Sequence, residues 1–205
     1  MEIFLVSNNL HENNLTYTDH DDLDTKISTR PLSIEGEILA KNISLLPEFE
    51  KVSAIYSSLY STAIASSKYL ANRINKKVFI EEKLNDSKIG ILKDKSLSMV
   101  RFMQNHDFDI KLNEGESLNE VGNRIEMVIN RLVNLNINNK VVLYTHKRTI
   151  LSYLIKVTKV GYSLDDDIVL EYDEKVVYNE EAKDADIIKL TFNKKKLVSI
   201  DVLDV

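Results

Sequence analysis

Polar side chains that can bind a ligand or carry a proton stand directly after apolar segments at three places in the chain. In chain order, these are Ser7 with Asn8, Ser57 with Ser58, and Thr145 with His146. A neutral imidazole is a nucleophile and a proton carrier, whereas hydroxyl and carboxamide groups mainly exchange hydrogen bonds. These residue types indicate a site for a small polar ligand, with His146 as a group suited to acid-base chemistry.

The apolar segments that precede these residues are short and continuous, which is typical of strands buried on both faces of a parallel sheet. They cover residues 3–6, 52–56 and 141–144, and residues 78–80 form a further segment of this kind. In such sheets, ligands bind beyond the carboxyl ends of the strands. We therefore expect the three polar pairs to meet at one edge of the sheet.

Segments with helical spacing alternate with these strands. Ser33 is the predicted N-cap of the first helix, Ser117 and Glu120 form a capping box ahead of the third, and a fourth follows His146. The apolar positions are Ile34, Ile38 and Leu45 in the first helix, Ala63, Ile64, Leu70 and Ile74 in the second, and Val121, Ile125, Val128, Ile129 and Leu132 in the third.

This alternation predicts an α/β fold with a three-layer helix-sheet-helix architecture and a mostly parallel central sheet. Residues 186–192 and 197–202 bracket a turn and predict an antiparallel C-terminal hairpin. Residues 7–31 and 134–139 are expected to be loops. With 205 residues and no linker-like stretch, the chain is predicted to form a single domain over residues 1–205.

Composition excludes several classes of function. The net charge is -5 and the basic residues are dispersed, which argues against nucleic-acid binding. The sequence has no cysteine, so disulfides and thiolate nucleophiles are excluded. No apolar run reaches membrane-spanning length. We expect a cytoplasmic protein without a cofactor or a metal, and without a membrane or nucleic-acid partner.

Ordered landmarks along nearly the whole chain resemble the histidine phosphatase superfamily, also called phosphoglycerate-mutase-like. The family's Arg-His-Gly after the first strand corresponds to residues 7–9, its Pro-Leu-Thr-x-x-Gly to residues 31–36, and its Ser-Ser-Pro-x-x-Arg-Ala to residues 57–63. Its acidic residue corresponds to Asp86, and its second histidine to His146. The Gly-Glu-Ser segment with its trailing Glu and Arg is intact, as Gly115, Glu116, Ser117, Glu120 and Arg124.

The resemblance implies phosphoryl transfer to a histidine, with two arginines binding the phosphate and an acid protonating the leaving oxygen. In this chain Asn8 stands at the nucleophile position, and Ser7 and Thr62 stand at the arginine positions. A carboxamide nitrogen has its lone pair delocalised into the carbonyl and cannot attack phosphorus usefully. Hydroxyls lack the permanent charge and the bidentate donors of a guanidinium. The resemblance therefore implies a degenerate active site.

Other polar residues have two interpretations each. Asp86 is either the acid of the site or a solvated loop residue, and His146 is either a ligand-binding or a structural histidine. Lys147 and Arg148 either bind an anion or form a solvated helix face. Ser57 and Ser58 either donate to a ligand or cap a helix.

Two further features have a less favoured functional interpretation. His11 could be a substitute nucleophile and the acidic run at residues 19–24 could be a metal site, but both are interpreted as exposed loops.

The leading hypothesis is a protein of the phosphomonoesterase and phosphoglycerate mutase type that is inactive as an enzyme. Its expected partners are a small anionic or phosphorylated ligand, or another protein. The predicted ligand-binding residues are Ser7, Ser57, Thr62, Thr145 and Lys147. Two alternatives stay open: a hydrolase of phosphomonoesters with a rearranged site around His146, and a purely structural or interaction protein.

Overall fold

The computed structural model describes residues 1–12, 23–135, 139–179 and 183–204. Two short 3₁₀ turns, at Pro47–Phe49 and Glu82–Leu84, join the helices and strands. In chain order these are β1 Glu2–Asn8, α1 Leu23–Thr29, α2 Ile34–Ser44, β2 Val52–Ser57, α3 Ser61–Ile74, β3 Val78–Ile80, α4 Leu97–His106, α5 Leu118–Leu135, β4 Lys140–Tyr144, α6 Lys147–Val157, β5 Lys159–Tyr162, β6 Ile168–Tyr172, β7 Lys175–Asn179, β8 Ala185–Asn193 and β9 Lys196–Val202.

The central sheet has six strands in the order β3-β2-β4-β1-β8-β9. Strands β3, β2, β4 and β1 pair in parallel, with Val6 opposite Tyr144 at the carboxyl ends of β1 and β4. Strands β8 and β9 form the predicted antiparallel hairpin, and β8 pairs with β1. The mostly parallel sheet and its hairpin confirm the predicted fold class.

The hydrophobic core lies on both faces of this sheet, because successive side chains of a strand point to opposite faces. Ile3 and Leu5 of β1 belong to a cluster with residues of α5 and α6. Phe4 and Val6 belong to a second cluster with residues of α2 and α3. Each fully buried aliphatic side chain of this kind contributes about 1.5–3 kcal/mol to folding. One cluster joins the sheet to α5 and α6, and the other joins it to α2 and α3, which gives the three layers.

Helix α2 buries the face opposite to the one that the sequence predicted to be buried. Ile34, Ile38 and Leu45 are 77%, 57% and 58% exposed, while Gly36 and Ala40 are on the buried face. A Cβ atom at Gly36 would lie 2.1 Å from the carbonyl oxygen of Leu10. At Gly36 the chain therefore approaches the helix too closely for a side chain, whereas Ile43, nearer the end of the helix, packs into the core.

Several elements were not predicted. Helix α1 lies inside the expected loop at residues 7–31, of which residues 13–22 are outside the described part. Helix α4 and the antiparallel sheet β5-β6-β7 had no sequence signal. Helix α5 continues to Leu135, into the expected loop at residues 134–139. Among the described residues, none of the helices has the length and hydrophobicity to cross a bilayer.

Candidate functional site

A cavity of about 490 Å³ lies at the carboxyl ends of the parallel strands. The backbone joins these ends: the Thr145 amide donates to the Val6 carbonyl at 2.8 Å, and the Ser58 amide donates to the Tyr144 carbonyl at 2.9 Å. The three strand ends therefore lie side by side, as the sequence predicted. Of the predicted site residues, five line the cavity: Asn8, Thr62, Asp86, His146 and Lys147.

The side chain of Asn8 holds the corner between β1 and α2. Its Nδ2 donates to the Gly36 carbonyl at 2.8 Å, and its Oδ1 accepts from the Leu10 amide at 3.1 Å. Both polar atoms of the carboxamide are therefore engaged by backbone groups. We call Asn8, Leu10 and Gly36 the β1–α2 corner.

Three other predicted ligand-binding residues do not line the cavity. The Ser7 hydroxyl is buried and donates to Oδ2 of Asp186 at 3.0 Å. The Ser57 hydroxyl donates to the Ser58 carbonyl at 2.9 Å, and the Thr145 hydroxyl donates to the Leu84 carbonyl at 2.7 Å. This corrects the sequence-based assignment, because these hydroxyls point into the protein and satisfy buried polar groups there.

His146 precedes α6 as its N-cap residue and is partly buried at the cavity. Its Nε2 lies 2.8 Å from the Ser58 hydroxyl, and its ring packs on Tyr60 with 4.9 Å between ring centroids. Burial lowers the pKa of His146, the Asp86 carboxylate partly offsets this shift, and the Arg124 guanidinium adds to it. The imidazole is therefore neutral at neutral pH.

Asp86 and Tyr60 bring an acid and a phenol to the same cavity. Oδ1 of Asp86 accepts from the Ser87 amide at 2.8 Å, and the Thr149 hydroxyl lies 3.5 Å from the same oxygen. Burial raises the pKa of Tyr60, and the carboxylates of Asp86 and Asp24 raise it further. Tyr60 therefore stays a neutral hydrogen-bond donor.

An arginine on α5 fixes the loop that carries Asp86. Arg124 forms a bidentate ion pair with Glu116, with Nε to Oε1 at 2.8 Å and Nη2 to Oε2 at 3.0 Å. The same guanidinium donates to the carbonyl oxygens of Lys83, Asn85 and Asp86 at 2.6, 2.8 and 3.0 Å. We call Glu116, Arg124 and the three carbonyls the α5 clamp. It holds the backbone of residues 83–86 and does not line the cavity.

Cations from four segments line the cavity. Of its described lining residues, five carry a permanent positive charge, namely Arg30, Lys88, Arg101, Lys147 and Arg148, and Asp86 is the single carboxylate. Among these five cations, only Lys147 and Arg148 were predicted from the sequence as candidates for binding an anion. Arg148 is only 8% exposed, so the alternative of a solvated helix face is wrong for this residue. No sequence motif marks Arg30, Lys88 or Arg101, which the tertiary fold brings to the cavity.

His11, the less favoured candidate for a substitute nucleophile, also lines the cavity. Its ring nitrogens lie 2.9 and 2.8 Å from Nη1 of Arg30. Burial and the charge of Arg30 lower the pKa of His11. Of the acidic run, residues 19–22 lie outside the described part, and the Asp24 carboxylate accepts from the amides of Ile89 and Gly90. The described residues contain no cluster of metal-binding side chains.

A sequence model of the histidine phosphatase superfamily (branch 1) matches residues 25–185. The chain belongs to this superfamily. The matched segment begins after β1, so the alignment of Ser7 and Asn8 with the superfamily's Arg-His pair rests on their place at the end of that strand. No curated protein sequence is similar enough to count as a match.

Several solved structures share the fold over most or nearly all of the chain. A mycobacterial glucosyl-3-phosphoglycerate phosphatase has a TM-score of 0.70 at 15% identity, covering 98% of this chain and 97% of that chain. Bacillus stearothermophilus YhfR has a TM-score of 0.66 at 15% identity, with 96% and 94% covered. The α-ribazole phosphatase from Shigella flexneri has a TM-score of 0.59 at 14% identity, with 86% and 93% covered. The mycobacterial enzyme has also been solved with inorganic phosphate and with VO3.

The arrangement retains part of what superfamily chemistry requires. A neutral imidazole, a carboxylic acid and several cations line one cavity at the strand ends. Cations suit an oxyanion ligand, and a neutral imidazole can exchange a proton with it. A histidine at the end of β1 is absent, because Asn8 occupies that position. These groups are of the types that suit an oxyanion ligand, whereas the Asn8 carboxamide at the end of β1 is not a nucleophile.

Proposed function

We propose that this histidine phosphatase superfamily member binds a small anionic ligand, of the phosphorylated type, without forming a phosphohistidine. Asn8 carries this proposal. Its carboxamide stands where the resemblance aligns the nucleophile, and both of its polar atoms are bound to Gly36 and Leu10. An amide nitrogen that also donates a structural hydrogen bond has no lone pair to offer to phosphorus.

The charge of the cavity supports the binding part of the proposal. The described lining residues include five cations and one carboxylate, in a chain whose net charge is -5. A cleft lined by one sign of charge concentrates ligands of the opposite sign. The phosphate and VO3 complexes of the mycobacterial phosphatase show that the fold accommodates such anions in that protein.

A hydrolase with a rearranged site is the second candidate. One observation favours it. His146 and Asp86 line the same cavity, and a neutral imidazole can act as a general base. In this alternative, His146 would activate a water molecule and Asp86 would protonate the leaving oxygen. A protein partner and a cytoplasmic location stay predictions from the sequence.

The test combines turnover with ligand binding. We expect the purified protein to hydrolyse phenyl phosphate no faster than its Asn8→Ala and His146→Ala variants. We also expect phosphate to raise the melting temperature above that in chloride of equal ionic strength. Turnover that His146→Ala abolishes and Asn8→Ala preserves would establish the rearranged hydrolase. Absence of stabilisation by phosphate, sulfate and phenyl phosphate would refute the anion-binding function and favour the interaction protein.

A further inference from the structure

Strand β3 forms an edge of the central sheet. Among the described strands it is the outermost on its side, and it pairs with β2 alone. Its residues Phe79 and Ile80 are 53% and 49% exposed, although both are large and apolar. An exposed apolar edge strand is a template for pairing with a strand of another chain. This edge is therefore a candidate interaction surface.

The backbone of β3 faces in two directions. The Glu81 amide donates to the Ser57 carbonyl of β2 at 2.9 Å. The backbone groups of successive residues in a strand point to opposite sides, so those of Phe79 also face β2. Those of Val78 and Ile80 face away from the sheet. These two residues can therefore exchange hydrogen bonds with another strand while β3 stays paired with β2.

Charged residues flank this edge in an order that fits a second copy of it. Residues 76–82 read Lys-Lys-Val-Phe-Ile-Glu-Glu, with basic residues at one end and acidic residues at the other. When two such strands run antiparallel about a twofold axis at Phe79, Lys77 of each copy stands opposite Glu81 of the other copy. Opposite charges that face each other across an antiparallel pair stabilise it, and like charges destabilise it.

The same register also suits the backbone and the apolar side chains. It places Val78 opposite Ile80, and these are the residues whose backbone groups face outward, so they can form hydrogen-bonded pairs. A shift of the second strand by two residues would place Phe79 opposite Lys77 or Glu81. A shift by one residue would place outward-facing backbone groups opposite inward-facing ones. The segment therefore favours one alignment with itself.

The carboxylate of Glu81 has capacity for a further cation. Its Oε2 accepts from Nη2 of Arg131 at 2.6 Å, and its Oε1 accepts from the Lys83 amide at 3.2 Å. Each carboxylate oxygen has two lone pairs, so both of these bonds can persist when a lysine approaches from another chain. Lys77 is exposed and precedes the strand, so its ammonium group can reach across to that carboxylate.

Helix α5 adds apolar surface beside this edge. Glu81 follows β3 in an extended conformation, so it shares a face of the strand with Phe79, and Arg131 of α5 reaches it. Met127 and Leu135 stand about one helical turn before and after Arg131, and both are exposed. A short strand edge with two helix side chains is a small surface. We therefore expect an association that reverses on dilution.

We propose that the chain forms a reversible twofold dimer in which the β3 strands of two copies pair antiparallel, centred on Phe79. The sheets of the two copies then continue into each other, and each copy covers the open edge of the other. The dimer involves a surface outside the ligand-binding cavity, so it is independent of the proposed function.

Sedimentation velocity of the full chain between about 1 µM and about 100 µM tests the assembly. We expect the mass to rise with concentration from that of one chain toward that of two. Ile80→Pro removes an outward-facing amide from each copy and leaves the bond to β2 in place, so it should raise the dissociation constant roughly tenfold or more. A wild type that stays monomeric throughout would overturn the proposal and leave the edge to some other occupant.

The charge pattern is tested by Lys77→Glu, which sets two carboxylates against each other on both sides of the axis. Reversing two pairs should raise the dissociation constant roughly tenfold. Added salt should weaken the wild-type dimer and strengthen that of the variant. Lys196→Glu is the matched control, because Lys196 is exposed and begins β9 at the opposite edge of the sheet. Equal weakening by the control would place the contact elsewhere and refute the role of β3.

The register can be tested by cross-linking, because the chain contains no cysteine. Phe79→Cys should form an intermolecular disulfide under copper-phenanthroline oxidation, since directly opposite residues of this kind have Cα atoms about 4.5 Å apart. Lys77→Cys should cross-link poorly, because its two thiols would lie four residues apart along the strands, about 13 Å. Ile34→Cys, at an exposed position of α2, measures random collision. If Phe79→Cys cross-links no better than these two variants, the pairing about Phe79 is wrong.

Discussion

The β1–α2 corner and the α5 clamp both use polar side chains to hold backbone groups, yet they relate differently to the superfamily. In the clamp, Glu116 and Arg124 fit the Gly-Glu-Ser segment and its trailing arginine, and Arg124 fixes the carbonyls of Lys83, Asn85 and Asp86. In the corner, Asn8 stands where the resemblance places the nucleophilic histidine, and its carboxamide binds Gly36 and Leu10.

This difference teaches that the fold and the chemistry of such a protein can separate. Of the residues that match the superfamily, Glu116 and Arg124 act on the backbone and so preserve the shape of the site, while His146 lines the cavity. The departures that the resemblance implies, at Ser7, Asn8 and Thr62, fall at positions where it places the groups that act on the phosphate. A superfamily fold around this cavity is therefore evidence for a site of that shape, and the side chains at the strand ends decide its chemistry. The two regions should respond in opposite ways to substitution.

The largest effect is expected from the corner, in turnover. Asn8→His with Thr62→Arg supplies an imidazole nucleophile and one guanidinium, both at positions that line the cavity. Ser7 is left unchanged because it is buried against Asp186. A well-placed electrostatic donor contributes about a hundredfold to a thousandfold in rate, so hydrolysis of phenyl phosphate should rise by at least about that factor over the wild type, which has neither group. The measurement is phosphate release at saturating substrate.

Asn8→Gln with Thr62→Arg is the control for this gain, because it has the same added charge and no imidazole. The free energy of unfolding should change little, by about 1 kcal/mol for the hydrogen bonds that Asn8 gives up. A folded double variant that is no faster than the control would show that Asn8 does not stand at the nucleophile position.

The α5 clamp should show the reverse pattern. Arg124→Met removes the ion-pair partner of the partly buried Glu116 carboxylate and the donor to three carbonyl oxygens, and we expect a loss of about 2–3 kcal/mol in the free energy of unfolding. Urea denaturation measures this loss. Phenyl phosphate turnover should remain at its low wild-type level.

Arg131→Met is the matched comparison for the clamp, since Arg131 lies on the same helix and pairs with Glu81 while its side chain is 48% exposed. An exposed pair of this kind contributes less than about 1 kcal/mol. Equal losses for Arg124→Met and Arg131→Met would mean that the clamp has no special structural role.

The sequence predicted the elements whose signals are local. The capping box before α5 forms in both directions, with Ser117 and Glu120 each accepting from the other's amide. The strand at Val78–Ile80 has the predicted bounds. Helix α1 and the sheet β5-β6-β7 were missed because their segments are short, and tertiary packing determines their structure more than local propensity does.

The candidate site was predictable in its position and only partly in its composition. Strand ends located Asn8 and His146, because parallel pairing of β1 and β4 follows from the alternation of strands and helices. The inward orientation of the Ser7 hydroxyl depends on Asp186, which is distant in sequence. The burial of Arg148 likewise depends on α4, a helix without a sequence signal. Contacts between distant segments are what one sequence does not reveal.

The smallest effect is expected from His146, and it concerns the pH dependence of stability. Its folded pKa is below the ordinary value of 6.5, chiefly because of burial. As pH falls through 6.5, His146 binds a proton more readily in the unfolded chain than in the folded chain. The free energy of unfolding should therefore decrease over this range, and the contribution of His146 should not change with pH above 6.5. The slope is at most about 1.4 kcal/mol for each pH unit.

His146→Gln should flatten this slope in urea denaturation between about pH 5 and 7, the range in which a histidine changes charge. His11→Gln should do the same, because burial and Arg30 lower the pKa of His11 in the same direction. The double variant should therefore be flatter than either single variant. An imidazole signal of His146 that titrates at 6.5 or above would contradict the burial of a neutral ring at the cavity.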